Sequence, residues 1–163
     1  MASLKVIKMY NLFIIKTTIM LLFCCTPIEQ EPCDTLLDVK SLESEYGCEN
    51  TIHQLHITLS DTFTIIRSQE SYEQQVTYWQ GNCDPNIDFS VFDLVIGKQS
   101  WGNQVYKIEY ELVRVCQTNK LRLTVRITWG DATLPDTITY HALIPKLKDE
   151  EDIEVIVEQL NSY

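Results

Sequence analysis

Alternation of apolar and polar residues with a period of two constrains this chain more than any other feature. Leu55, Ile57 and Leu59 alternate with His56 and Thr58, and Phe63 and Ile65 follow after Ser60-Asp61. Tyr106, Ile108, Tyr110 and Leu112 alternate with Lys107, Glu109 and Glu111. Leu121, Leu123, Val125, Ile127 and Trp129 alternate with Arg122, Thr124, Arg126 and Thr128. Ile138, Tyr140, Ala142 and Ile144 alternate with Thr139, His141 and Leu143. Successive strand side chains point to opposite faces, so each segment predicts a strand with one face on a core and one in water. On this reading His141 points outward and is solvated. Phe92–Ile96 is a shorter apolar run that Gly97 ends.

The connections read as hairpins. Gln117-Thr118-Asn119 joins two strong strands, and Gly130–Asp136 joins the next pair, with Pro135 just outside the ladder. One segment breaks the pattern. Tyr72, Val76 and Trp79 recur at i, i+4 and i+7, with Ser68 as cap, Glu70 in the first turn and Gly81 as stop. The expected fold is mainly β, or α+β: an antiparallel meander or sandwich carrying one packed amphipathic helix. The C-terminal segment fits two structures. Ile153, Val155 and Val157 suit a strand, while Ile153, Ile156, Val157 and Leu160 suit a helix face.

Ahead of this domain, Lys5, Lys8 and Lys16 precede the run Leu21-Leu22-Phe23-Cys24-Cys25, and the first acidic residue is Glu29. A basic start, an apolar stretch and a boundary cysteine predict an export signal over residues 1–24, with Cys25 as the lipidated residue. Lipid on Cys25 puts Leu22 at −3 and the compact Cys24 at −1; lipid on Cys24 puts the bulky Phe23 at −1. Residues 25–34 then form a tether and 35–163 a single domain. The chain is expected in the cell envelope, on the outer or cytoplasmic membrane, held there by its lipid.

The six cysteines support the same compartment. Without Cys24, and with Cys25 acylated, Cys33, Cys48, Cys83 and Cys116 remain, an even set suited to disulfides. Cys48 and Cys83 flank one supersecondary unit and are the favoured pair, which leaves Cys33 with Cys116. The full chain carries a net charge of −10. Losing three lysines and no acids makes the mature charge −13, which repels phosphate backbones and argues against nucleic acid as a partner.

Chemical motifs are sparse. The chain has no nucleophile elbow, no Gly-rich phosphate loop and no His-Glu-x-x-His helix, so no enzyme activity, cofactor or small-molecule substrate is expected. Asp84-Pro85-Asn86-Ile87-Asp88 lacks the Gly and Glu of a calcium loop and reads as an Asx turn. His53 and His56 would lie on opposite faces of a strand, so no metal site is expected. Lys98–Gln104 is the candidate recognition loop, with Lys98, Trp101 and Asn103 as partner-binding residues. Trp101 either presents its ring to a partner or folds back over the core edge.

Ile87-Asp88-Phe89 followed by the run to Gly97, then Tyr106–Val115, Leu121–Thr128 and Tyr140–Lys146, form an ordered set of strand motifs. Together with Phe63–Tyr72 they resemble the C-terminal domain of the protease-complex subunit PrcB and small exported lipoproteins like it, over roughly residues 60–146. The resemblance implies a non-catalytic accessory domain that associates with, or restrains, a secreted protease. The other expectation is a structural envelope lipoprotein whose strands pair with a neighbour and which has no protease partner.

Overall fold

Period-two patterning is realised as two packed sheets with a small cap. The structure is a computed structural model that describes residues 33–59, 61–78, 83–132, 134–149 and 151–161. The expected signal, Cys25 and most of the tether lie outside the described residues, as do Trp79 and Gly81. Asp34–Tyr163 forms one compact unit. Its strands are β1 (Thr35–Leu37), β2 (Leu55–Ile57), β3 (Phe63–Ile66), β4 (Val76–Tyr78), β5 (Phe92–Trp101), β6 (Val105–Val115), β7 (Lys120–Trp129), β8 (Asp136–Pro145) and β9 (Ile153–Asn161). Short helices α1 (Leu42–Tyr46), α2 (Thr51–Gln54) and α3 (Gln69–Gln75) complete it.

The strand orders are β1-β6-β7-β9, β3-β5-β8 and β2-β4. The fold is therefore mainly β with sandwiched sheets. Only β6 and β7 are both consecutive in the chain and adjacent in a sheet among the described residues. This corrects the meander. Gly130–Pro135 does not close a hairpin; it carries the chain across from β7 to the other sheet, where β8 pairs with β5 from Phe92↔Pro145 to Trp101↔Asp136. The β6–β7 hairpin is as expected, and Asn119 takes the left-handed conformation (φ 54°) that its turn requires.

Two cores result. Leu121, Leu123, Val125, Ile127 and Trp129 of β7 meet Ile138, Tyr140, Ala142 and Ile144 of β8 between the larger sheets. Leu42, Leu55, Ile57, Ile66, Tyr72 and Val76 form a second core with Leu94, Ile96 and Leu143. The second core lies on the other side of β5 and β8, because Leu94, Ile96 and Leu143 alternate with Val95, Ala142 and Ile144 of the first. The β3-β5-β8 sheet is thus covered on both faces, and Ile138–Ile144 is buried without a break. This overturns the solvated placement of His141, which is 1% exposed.

Gly97 does not end β5. Strand and register run on to Trp101, and Gly97 faces Tyr140 across the ladder. A Cβ at position 97 would overlap the Tyr140 ring and lie 2.7 Å from the Thr62 carbonyl oxygen, so glycine serves here for close approach. The predicted helix is also shorter. Ser68 Oγ accepts from the Ser71 N–H at 3.2 Å as expected, but Val76 is extended (φ −107°, ψ 130°) and opens β4 opposite Ile57. A β-branched residue offered a strand partner favours the ladder over another helical turn.

The C-terminal segment is a strand, and it runs parallel to β7 from Leu121↔Ile153 to Trp129↔Asn161. Its outer face explains the choice. Arg122 Nε donates to Glu154 at 2.7 Å, Arg126 Nε to Glu158 at 2.9 Å, and Arg126 Nη1 to Glu111 on β6 at 3.0 Å. The same register turns Ile153, Val155 and Val157 toward the first core. Tyr106 departs from the inward set because the ladder shifts between Val105 and Lys107, which leaves Tyr106 as an extra, outward residue.

Double-faced burial encloses one charge. Asp93 of β5 is fully buried; it accepts from Lys146 Nζ at 2.7 Å and the Leu147 N–H at 3.0 Å, and Arg67 Nε lies 3.8 Å away. Breaking a buried ion pair leaves an uncompensated charge and costs about 3–5 kcal/mol; Arg67 softens this, so Lys146→Met should cost about 2–4 kcal/mol in urea unfolding. Adding Asp93→Asn to Lys146→Met should recover at least half of that loss, and no recovery would mean that Lys146 contributes through packing alone.

Candidate functional site

The residues expected to form a recognition loop are divided between strand and turn. Lys98, half-buried, and Trp101 both belong to β5, which leaves Gly102–Gln104 as the connection. Asn103 is spent on the fold: its Nδ2 donates to the Gly130 carbonyl at 3.0 Å, beside backbone bonds from Gly130 to Gln104 and from Gln104 to Ala132. Trp101 lies partly over the core edge. Its ring stacks on buried Trp129, with centroids 6.2 Å apart and an interplanar angle of 27°, while 47% of the residue remains exposed.

Other apolar side chains gather at the same end. The pairings Val105↔Trp129 and Trp101↔Asp136 bring the start of β6 and the 130–135 crossover beside Trp101. Tyr106 is 76% exposed there and Leu134 63%. An aromatic pair with a leucine on a polar surface is the composition of a protein-binding patch. The bulge that turns Tyr106 outward has no signature in the sequence.

A second constellation was missed from the sequence. His141 of β8 lies against α1 and α2, where Thr51 is fully buried. Thr51 Oγ1 donates to Glu43 Oε1 and lies 2.5 Å from His141 Nε2. A carboxylate only accepts, so the single Thr51 proton goes to Glu43, and Oγ1 accepts in turn from a protonated Nε2. The result is a relay from His141 through Thr51 to Glu43, whose Oε1 is also 3.5 Å from Nε2. His141 Nδ1 has no hydrogen-bond partner. The Tyr110 hydroxyl oxygen accepts from the His141 backbone N–H at 3.0 Å.

The electrostatics follow from this geometry. Burial alone pushes the Glu43 carboxyl up, but hydrogen bonding to His141 and its charge outweigh burial and hold Glu43 below the usual carboxylate range. Burial raises the Tyr110 phenol far above its usual range, so it keeps its proton. Around these groups lies a pocket of about 370 Å³, walled by Ile52 and Ile108 with Asn50 at its edge. Its signal in the sequence was the total lack of charge in Ile138–Ile144, in contrast to β6 and β7.

The histidines expected on one strand are separated. His53 lies in α2, with Nδ1 3.6 Å from Asp136 Oδ1, and His56 is exposed on β2. No group of three or more His, Cys, Asp or Glu side chains suited to a metal ion occurs among the described residues. Asp88 forms the expected turn, accepting from the Ser90 N–H at 3.0 Å.

Cys48 and Cys83 form a disulfide with a Cα–Cα distance of 5.1 Å, and Cys33 and Cys116 are each disulfide-bonded. Stable disulfides indicate an oxidising compartment outside the cytosol. Among the described residues no helix is long and apolar enough to cross a membrane. No protein-family model matches the chain, and no curated protein or solved structure is significantly similar to it.

The depressed Glu43 value sets a pH dependence. A carboxylate with a lowered folded-state pKa adds stability that is present above its unfolded value and lost as pH falls through the folded value. Wild type should therefore be more stable than Glu43→Gln at pH 7, and the urea midpoints of the two should converge as pH falls through and below about 4.3, the ordinary glutamate value. A constant offset across the whole range would show that Glu43 acts through shape rather than charge.

Proposed function

We propose that this chain is an exported, lipid-anchored accessory domain that works by binding a protein partner, and that the partner is a secreted protease. One observation carries the binding role: Trp101, Tyr106 and Leu134 are all exposed at the same end of a disulfide-bonded sandwich. Aromatic anchors on a rigid base are what a binding hot spot needs, because little conformational entropy is lost when they are covered. Stacking on Trp129 fixes the Trp101 ring in advance. Lipid attachment at Cys25 rests on the leader sequence, and the protease as partner rests on the resemblance to the PrcB C-terminal domain.

The test is affinity capture of the full chain from its native envelope, comparing wild type with Trp101→Ala and with Tyr106→Ser/Leu134→Ser. A stoichiometric protease should accompany the wild type, and each variant should reduce its recovery by about tenfold or more, as loss of a hot-spot residue does. Tyr106→Ser/Leu134→Ser should leave stability within about 0.5 kcal/mol, since both side chains are mostly in water. Trp101→Ala should cost about 0.5–1.5 kcal/mol from the lost aromatic pair. Recovery of bulk envelope proteins alone would remove the protease from the proposal and favour a structural lipoprotein.

A further inference from the structure

We propose that the pocket bounded by α1, α2, β6 and β8 is a binding site for an alkylammonium group, either a small primary amine or a lysine side chain. The site is independent of the apolar patch. Its volume, about 370 Å³, falls within the range of small-ligand sites.

Charge decides the sign of the ligand. Glu43 brings an ionised carboxylate, and neither lysine nor arginine lines the pocket to neutralise it. The titratable groups facing it are Glu43 from α1, Tyr110 from β6 and His141 from β8. The whole chain is acidic, with a net charge of −10, so its long-range field also draws cations.

Hydrogen-bonding capacity points the same way. The relay through Thr51 engages His141 Nε2, and the buried Nδ1 has no hydrogen-bond partner. An ammonium offers three donors and no acceptor, which suits a carboxylate and an amide oxygen. Asn50 offers that amide. It stands before α2 in the left-handed conformation (φ 51°) and makes no side-chain capping bond, so the helix does not use it. A strained non-glycine residue at the rim of a pocket is a common mark of a binding site.

The walls complete the fit. Ile52 and Ile108 are half-buried apolar surfaces suited to a methylene stem.

The experiment uses the full chain with carbon-13-labelled isoleucine methyls and histidine rings. It titrates n-butylammonium chloride against n-butanol, with sodium chloride to match ionic strength. Butylammonium should give saturable shifts at Ile52, Ile108 and His141, and butanol should not. Glu43→Gln should weaken the response about tenfold or more. Ile52→Trp, which fills the pocket and leaves the relay intact, should abolish it even if Glu43→Gln folds poorly. A second titration with Nα-acetyl-lysine N-methylamide separates the sources: tighter binding than butylammonium indicates a protein side chain, and equal or weaker binding a free amine. Absence of saturable shifts at about 100 mM butylammonium, equal shifts with butanol, or shifts that persist in Ile52→Trp would each overturn the proposal.

Discussion

Burial of the β3-β5-β8 sheet on both faces is the constraint on which the rest of the structure depends. Where this sheet lies between the two cores its polar side chains cannot reach water, so each one there must be satisfied inside. Asp93 is satisfied by Lys146 and the Leu147 backbone, and Thr139 Oγ1 by the Leu55 carbonyl at 2.6 Å. His141 is satisfied on one nitrogen only. Tyr140 reaches the Thr62 carbonyl by crossing over Gly97. The candidate pocket is a product of this constraint. It exists because a polar residue lies on the face of β8 that the short helices cover.

The other large sheet is under less restriction. Its inner face joins the first core, and its outer face is charged, with Arg122 and Arg126 set between acids of β6 and β9. Each of these exposed pairs contributes little to stability, and their main effect is on register. With the arginines of β7 opposite Glu154 and Glu158, a one-residue slip of β9 would put both acids against the core. The two sheets divide the work: one holds buried polar chemistry and the other sets alignment, while each contributes one exposed aromatic, Trp101 from β5 and Tyr106 from β6.

Much of the fold was legible in the sequence, and the failures share a physical origin. Strands β6 and β7 were readable because their polar residues are charged, which fixes the water-facing side. The Ser68 cap, the Asx turn at Asp88 and the Cys48–Cys83 bridge were readable because each depends on local or nearby residues. Strand β8 was misread because threonine and histidine count as polar in an alternation, although both can be buried once hydrogen-bonded. Gly97 read as a stop because its role, making room for Tyr140, depends on a strand more than forty positions away. Of the expected recognition residues, Trp101 kept an exposed ring while Asn103 was taken up by the crossover. Neither the outward turn of Tyr106, which follows from a bulge, nor the relay among His141, Thr51 and Glu43, which follows from contacts between distant segments, was legible.

The pairing order carries a consequence for how the chain reaches this structure. Among the described residues, β6 and β7 are the only sheet neighbours that follow one another in sequence; β1, β3, β8 and β9 all wait for partners that are remote in the chain. Closing long loops costs entropy before any contact offsets it, so a sandwich of this order folds slowly and from one place, the β6–β7 hairpin. Strand β9 can dock on β7 only after the segment that carries β8 has also been made. Until then the outer edge of β7, rich in β-branched residues, stays open. The interval between synthesis of β7 and arrival of β9 is when this protein is most exposed to mispairing with a second copy.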